Sequence, residues 1–250
     1  MQRYGTIVVI GGGCYGSYYV RQLGRAAAAG ALAYERLLVV DRDPECRVAQ
    51  LLREGTADAV PVPTIVTREW APFFDEYLAD AAQHPDEGAR DAIVPSPLMP
   101  HLMYEWLLAR ARARWPARLV ASRPLDRDPS TPWQRRAPDG THYVSFAEWM
   151  CPINCVEPAM CPEIRGPRTW SLPPAVRAYV AAERARGRNL AGPVIFHCAH
   201  RAYGVGMFDT REVLAGDQLV AAVGADGPAE VLVGTVSHCH GALNVLSIGA

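Results

Sequence analysis

A β-branched run that ends in three glycines constrains the fold of this 250-residue chain more than any other feature. Residues 6–10 read TIVVI and have the composition of a buried strand. Gly11, Gly13 and Gly16 follow with the spacing G-x-G-x-x-G, and residues 14–29 have the pattern of a helix that ends before Gly30. A strand, a glycine turn and a helix in this order predict the start of a βαβ unit.

The spacing of these glycines suits a dinucleotide site. The first glycine permits a tight turn, the second lets the backbone approach a pyrophosphate, and the third lets the helix pack closely on the strand. The helix N-terminus then faces the phosphates with its free N–H groups. We assign Gly11, Gly13 and Gly16 to the cofactor site, together with Cys14 and Tyr15 between them. The alternative is a glycine-rich turn that binds nothing.

The residue that closes the next strand indicates which dinucleotide is bound. Asp41 ends the run LLVVD, where a carboxylate accepts hydrogen bonds from ribose hydroxyls. A carboxylate repels a 2′-phosphate, so NAD is predicted, while the adjacent Arg42 keeps NADP as an alternative. Ser96 lies after the predicted fourth strand, where such folds bring a loop towards the nicotinamide, and His101 is a further candidate there.

Two segments carry a resemblance to a known family. VVIGGGCYGSYYVRQL and LLVVDRDPE resemble the NAD-binding Rossmann domains of regulatory subunits of potassium uptake systems and of many dehydrogenases. The resemblance covers about the first half of the chain and implies a Rossmann fold. It places Gly11, Gly13, Gly16 and Asp41 in the cofactor site. It identifies the NAD(P)-binding superfamily and not an activity, because this fold hosts many functions.

Alternating strand and helix patterns predict an α/β protein with two domains. A five-stranded parallel Rossmann sheet is expected over residues 1–122, with strands near 6–10, 36–41, 57–62, 91–96 and 117–122. A smaller α+β domain is expected over residues 123–250. It would carry a cysteine-rich loop from about residue 149 to residue 174.

The cysteines of that loop predict a metal site. Cys151, Cys155 and Cys161 have the spacing C-x3-C-x5-C, and a loop can wrap three thiolates around an iron-sulfur cluster or zinc. We assign Cys198 as the fourth ligand. The histidines beside Cys198 and the segment SHCH at residues 237–240 are alternatives, and buried thiols that only pack are the simplest competing interpretation.

Composition excludes several function classes. The net charge of −1 gives no field that would attract nucleic acid, and no apolar run is long enough to insert in a membrane. All 25 basic residues are arginine, which excludes a lysine Schiff base and a P-loop lysine. Seven cysteines without a secretory signal favour thiols or metal ligands over disulfides and predict a cytoplasmic protein.

The sequence therefore leads to a redox hypothesis. We expect an NAD-binding oxidoreductase or accessory redox subunit, whose second domain holds a metal or iron-sulfur cluster near the nicotinamide. Its partner would be a small molecule or a redox protein, and the chain would act as a homo-oligomer or within a redox complex. The alternative is a non-enzymatic NAD-sensing or assembly subunit with structural zinc. The sequence leaves open whether the chain is an enzyme and what its substrate is.

Overall fold

The computed structural model describes residues 1–56, 61–147, 151 and 153–250. Within these residues the architecture is mixed α/β, with two six-stranded sheets and a two-stranded ribbon, which confirms the α/β class at this level. Two compact units are formed, one by residues 1–99 with 199–214 and the other by residues 100–198 with 215–250. Within the described residues, none of the helices combines the length and the apolar composition that a membrane crossing requires.

The helices and strands follow one another as β1 (Gln2–Ile10), α1 (Cys14–Ala28), β2 (Leu32–Asp41), α2 (Arg47–Arg53), β3 (Thr64–Thr67), α3 (Trp70–Gln83), α4 (Pro85–Gly88), β4 (Ala92–Val94), α5 (Leu102–Arg114), β5 (Val120–Arg123), β6 (Trp133–Arg136), β7 (His142–Ser145), β8 (Met160–Cys161), β9 (Gly166–Pro167), α6 (Leu172–Ala185), β10 (Leu190–His197), β11 (Ala199–Ala202), β12 (Val205–Asp209), α7 (Thr210–Ala225), β13 (Ala229–Val236) and β14 (His240–Ile248).

The first unit is built on the sheet β11-β12-β4-β1-β2-β3. Strands β1 to β4 are mutually parallel where they pair, and Ile10 lies opposite Val40. Ile7, Val8 and Val9 are fully buried, because a central parallel strand is covered on both faces. The carboxyl ends of β1, β2 and β4 therefore meet at one edge of this sheet.

The predicted fifth parallel strand is wrong. β5 pairs antiparallel with β14 in the sheet of the second unit, with Ser122 opposite Leu246. The position next to β4 is taken by β12, which runs antiparallel and places Phe208 opposite Ile93. The physical reason is burial: β5 buries only its first residue, whereas Val205, Met207 and Phe208 of β12 are fully buried.

The compact units also differ from the predicted division at residue 122. Residues 100–122 lie in the second unit, and residues 199–214 return to the first because β11 and β12 extend its sheet. The second unit is consequently the larger of the two, not the smaller. The strand expected at 57–62 falls partly on residues 57–60, outside the described residues, and β3 begins at Thr64.

The second unit is built on the sheet β10-β13-β14-β7-β6, with β5 also paired to β14. β10 and β13 are parallel, and the remaining pairs are antiparallel. Residues 237–239 connect β13 to β14, and Ser145 of β7 lies opposite His240. His197 at the end of β10 lies opposite Val236. This end of the sheet therefore gathers the histidines of β10 and β14 and the turn between β13 and β14.

Candidate functional site

The first glycine of the loop adopts a conformation that only glycine adopts readily. Gly11 has a φ of +84°, in the left-handed region, and its N–H donates to the Val40 carbonyl at 2.8 Å. The chain thereby turns at the end of β1 while it stays bonded to β2. Gly12 packs against Cys46 so closely that an added Cβ would lie 2.4 Å from the Cys46 Sγ.

Gly16 and Gly13 are required for different reasons. A Cβ on Gly16 would lie 1.8 Å from the carbonyl oxygen of Gly11, so only glycine lets α1 start this close to the loop. A Cβ on Gly13 would meet nothing within 4 Å, and the φ of Gly13 is −73°. The fold therefore requires glycine at position 16 but not at position 13. A glycine at position 13 keeps open the space at the N-terminus of α1, where a phosphate would bind.

Asp41 fixes the glycine loop to the end of β2. Its Oδ2 accepts the Gly12 N–H at 2.6 Å, and its Oδ1 accepts the Asp43 N–H at 2.9 Å. The side chain is half-buried. Each carboxylate oxygen has two acceptor positions, so Asp41 can hold the loop and still accept a ribose hydroxyl. Arg42 is exposed, and its Nη1 lies 4.0 Å from the Glu69 Oε1. An exposed ion pair at this distance contributes little to stability.

The other predicted cofactor residues lie at the same edge of the first sheet. Cys14 and Tyr15 are exposed on the first turn of α1. Ser96 lies two residues beyond β4, and its Oγ accepts the Leu98 N–H at 3.3 Å. Because β1, β2 and β4 are parallel neighbours, the glycine loop, Asp41 and the Ser96 loop all follow carboxyl ends of strands, where open α/β sheets bind ligands.

His101 is not placed as an acid or base. It belongs to the second unit, is 6% exposed, and its Nδ1 lies 3.1 Å from the Thr235 Oγ1. Its ring stacks on Tyr104 at 4.7 Å between centroids. Burial lowers the pKa of His101 to about 3, so the imidazole stays neutral near pH 7.

In the second unit, Cys239 is held from several sides in the turn between β13 and β14. Its N–H donates to the Ser237 Oγ at 3.1 Å, and its carbonyl accepts the Phe146 N–H at 3.0 Å. The Trp170 Nε1–H donates to the Cys239 Sγ at 3.4 Å. The residue is buried, so its thiol occupies a fixed position inside the unit.

The cysteine loop is tied to this turn through Glu157. The Glu157 Oε1 accepts the His238 N–H at 2.9 Å. The Arg168 guanidinium in turn donates to the carbonyls of Glu157 at 2.9 Å and of Pro158 at 3.2 Å. Cys161 lies in the ribbon β8–β9, opposite Gly166. These bonds place the loop cysteines at the same end of the sheet as Cys239.

The loop thiols and Cys239 are electrostatic neighbours. Burial and, to a smaller degree, the nearby groups Cys155, Cys239, Cys161 and Glu163 together raise the pKa of the Cys151 thiol to about 12. Burial also raises the pKa of Cys239, to which Glu157 and Cys155 contribute. Cys155, Cys161 and Cys239 therefore lie within electrostatic range of Cys151.

Cys198 lies beside the turn between β13 and β14. It follows β10, and its N–H donates to the Val236 carbonyl at 2.8 Å. Its role as the fourth ligand stays a prediction. The described part of the chain contains no group of three or more His, Cys, Asp or Glu already placed to hold a metal ion.

Two hydrogen bonds connect Cys151 to His240 of β14 and His240 to Ser145 of β7. The His240 Nε2 lies 3.0 Å from the Cys151 Sγ, and the His240 Nδ1 lies 2.8 Å from the Ser145 Oγ. Ser145 donates its own hydroxyl to the Ala147 carbonyl, so its oxygen accepts the Nδ1–H of His240. The Nε2 then accepts the S–H of Cys151.

Ser145 and Glu157 carried no sequence signal, because their roles depend on the pairing of β7 with β14 and on the loop's position.

Comparison with known proteins identifies one family. A family model described as "Uncharacterized protein, C-terminal domain" matches residues 103–249, which includes the cysteine loop and the turn with Cys239. No match was found among curated proteins or among solved structures.

Proposed function

We propose that this chain, which belongs to the family described as "Uncharacterized protein, C-terminal domain", is an NAD-binding redox protein. In this proposal the first unit is a Rossmann-type NAD domain, and NADP is the alternative cofactor. The second unit holds a cysteine-ligated zinc or iron-sulfur centre. The redox partner is a small molecule or another protein.

The geometry of the glycine loop carries the proposal. Gly16 lies against the Gly11 carbonyl, Gly13 leaves open space at the start of α1, and Asp41 bonds to Gly12 at the same sheet edge. This combination supports a pyrophosphate on the helix N-terminus and a ribose beside Asp41. A turn with a purely structural role would need Gly11 and Gly16 but not a glycine at position 13.

Calorimetric titration of the whole chain with NAD and NADP tests this function. Asp41→Asn removes the charge and one of the two acceptor oxygens available to the ribose hydroxyls, and a hydrogen bond to a charged group contributes about 1.5–3 kcal/mol. We therefore expect Asp41→Asn to weaken NAD binding roughly ten- to hundredfold. NADP binding should weaken less, because the carboxylate opposes the 2′-phosphate.

Asp43→Asn is the matched control for this titration. Asp43 is an exposed residue two positions away, and its Oδ1 accepts the Glu45 N–H at 2.8 Å. The control should bind NAD as the wild type does. Equal losses of NAD and NADP affinity in Asp41→Asn would refute the ribose assignment, and a wild-type chain that binds neither dinucleotide would refute the proposed function.

Burial of the cysteines favours a second candidate function. Cys161 and Cys239 are each 5% exposed, as expected for a centre that stabilises the fold. In this case the chain is an NAD-sensing or assembly subunit with structural zinc. Metal analysis separates the candidates: iron with visible absorbance supports the redox function, and zinc in a colourless protein supports the structural one.

A further inference from the structure

We propose that Cys151 is a nucleophilic thiol whose proton passes to His240, and that the thiol adds to the carbonyl carbon of a small aldehyde. The inference goes beyond the proposed metal centre, since it gives Cys151 a role other than that of a ligand. Only the choice of an aldehyde rests on the proposed function, because an aldehyde joined to a thiol is a substrate from which NAD can remove a hydride.

The hydrogen bonds of Ser145 fix the orientation of the His240 ring. Ser145 is fully buried, and its hydroxyl donates to the Ala147 carbonyl and accepts the Ala147 N–H at 3.0 Å. Because its only proton is used, the Ser145 Oγ accepts the Nδ1–H of His240 at 2.8 Å. The lone pair of the neutral ring is therefore on Nε2, and this nitrogen lies 3.0 Å from the Cys151 Sγ.

The strands hold the histidine in this position. His240 begins β14 and lies opposite Ser145 of β7, and its own N–H donates to the Ser237 Oγ at 3.2 Å. A nucleophile that contacts a base, with a third group orienting the base, is an arrangement that performs covalent catalysis on unrelated folds. Here Cys151 is the nucleophile, His240 is the base and Ser145 is a positioning residue.

A base is needed because the Cys151 thiol is protonated at rest. Burial is the largest cause of its raised pKa of about 12, and a protonated thiol is a weak nucleophile. The sulfur reacts only if its proton leaves as the new bond forms, and the His240 Nε2 lies at hydrogen-bonding distance for this transfer. Cys151 is half-buried rather than enclosed, as access by a small molecule requires.

The proposed step is balanced without a further reactant. The Cys151 sulfur bonds to the aldehyde carbon as its proton passes to the His240 Nε2, and the electron pair of the carbonyl π bond moves to the aldehyde oxygen. That oxygen then takes the proton from His240, which returns to its neutral form. The product is a thiohemiacetal, and neither oxidation nor reduction has occurred.

Alkylation of the whole chain by iodoacetamide tests the pair, with mass spectrometry reporting the rate at each cysteine. His240→Gln should slow alkylation of Cys151 at least about tenfold, since a positioned base contributes a factor of roughly 10²–10⁴. The exposed Cys14 is the internal control and should react at the same rate in both chains. Propanal should protect Cys151 but not Cys14, because the thiohemiacetal blocks the sulfur. Equal Cys151 rates in the two chains, or no protection by propanal, would overturn the proposal.

A second measurement does not depend on the folding of His240→Gln. NMR of the histidine ring nitrogens in the wild type should show a protonated Nδ1 and an unprotonated Nε2 at His240, and the opposite tautomer would contradict the inference. Ser145→Ala should give a mixture of both tautomers, a change that a loss of stability alone does not produce. If bound iron or zinc prevents alkylation of Cys151 until the metal is removed, the inference fails and the proposed function stands.

Discussion

A single aspartate links the sequence motif to the geometry of the glycine loop. Asp41 is assigned to the ribose because it closes the run LLVVD, and it also accepts hydrogen bonds from the Gly12 and Asp43 amides. Both roles follow from its place at the end of β2, beside the end of β1. For this reason Asp41→Asn is a better test than Asp41→Ala, since asparagine keeps one acceptor for the loop.

At the same scale, the burial of His101 predicts how the free energy of unfolding depends on pH. Its pKa is about 3 in the folded chain and close to 6.5 when unfolded, so the unfolded chain binds a proton first. The free energy of unfolding should therefore fall as the pH drops from about 6.5 towards 3, by about 1.4 kcal/mol per unit of pKa difference at most.

Chemical denaturation between about pH 7 and pH 5 measures this effect. His101→Gln should show a shallower decrease than the wild type, because glutamine does not titrate. The control variant is His84→Gln, which replaces an exposed histidine. Equal slopes for the wild type and His101→Gln would show that burial of His101 does not control the acid response.

At the scale of elements, the two glycines at the start of α1 have different predicted roles, one in protein stability and the other in NAD binding. Gly16→Ala should destabilise the chain by roughly 1–3 kcal/mol or more, because its Cβ overlaps the Gly11 carbonyl. Gly13→Ala should cost less than about 1 kcal/mol, as expected at an N-cap, but weaken NAD binding, since its Cβ fills open space where the pyrophosphate would approach. Thermal unfolding and calorimetry measure the two effects. Unchanged NAD affinity in folded Gly13→Ala would argue against a phosphate at this position.

The same elements show what local sequence can predict. The strand, turn and helix from β1 to α1 are encoded by adjacent residues, and the structure has β1, α1 and β2 where they were expected. β5 was assigned to the wrong sheet because its four residues fit either sheet, and its partner β14 lies over a hundred residues later. The position of Cys239 beside the cysteine loop depends on the hairpin β13–β14 and on the Glu157 anchor, which no spacing of cysteines reveals.

At the scale of the whole molecule, the chain forms two compact units, and each carries one candidate site. The chain leaves the first unit after residue 99 and returns to it at residues 199–214, so the first unit is not continuous in sequence. A domain boundary predicted from local composition does not reveal that residues 199–214 belong to the first unit. Their membership follows from the pairing of β12 with β4. Tests of either site should therefore use the complete chain.

The central claim is that one chain binds NAD and holds a thiolate-bound metal. The most direct test is to purify the whole chain without oxygen, measure iron and zinc per chain, and titrate the same preparation with NAD by calorimetry. The account predicts bound iron or zinc together with saturable NAD binding. A chain that carries neither metal, or that does not bind NAD, would contradict the account.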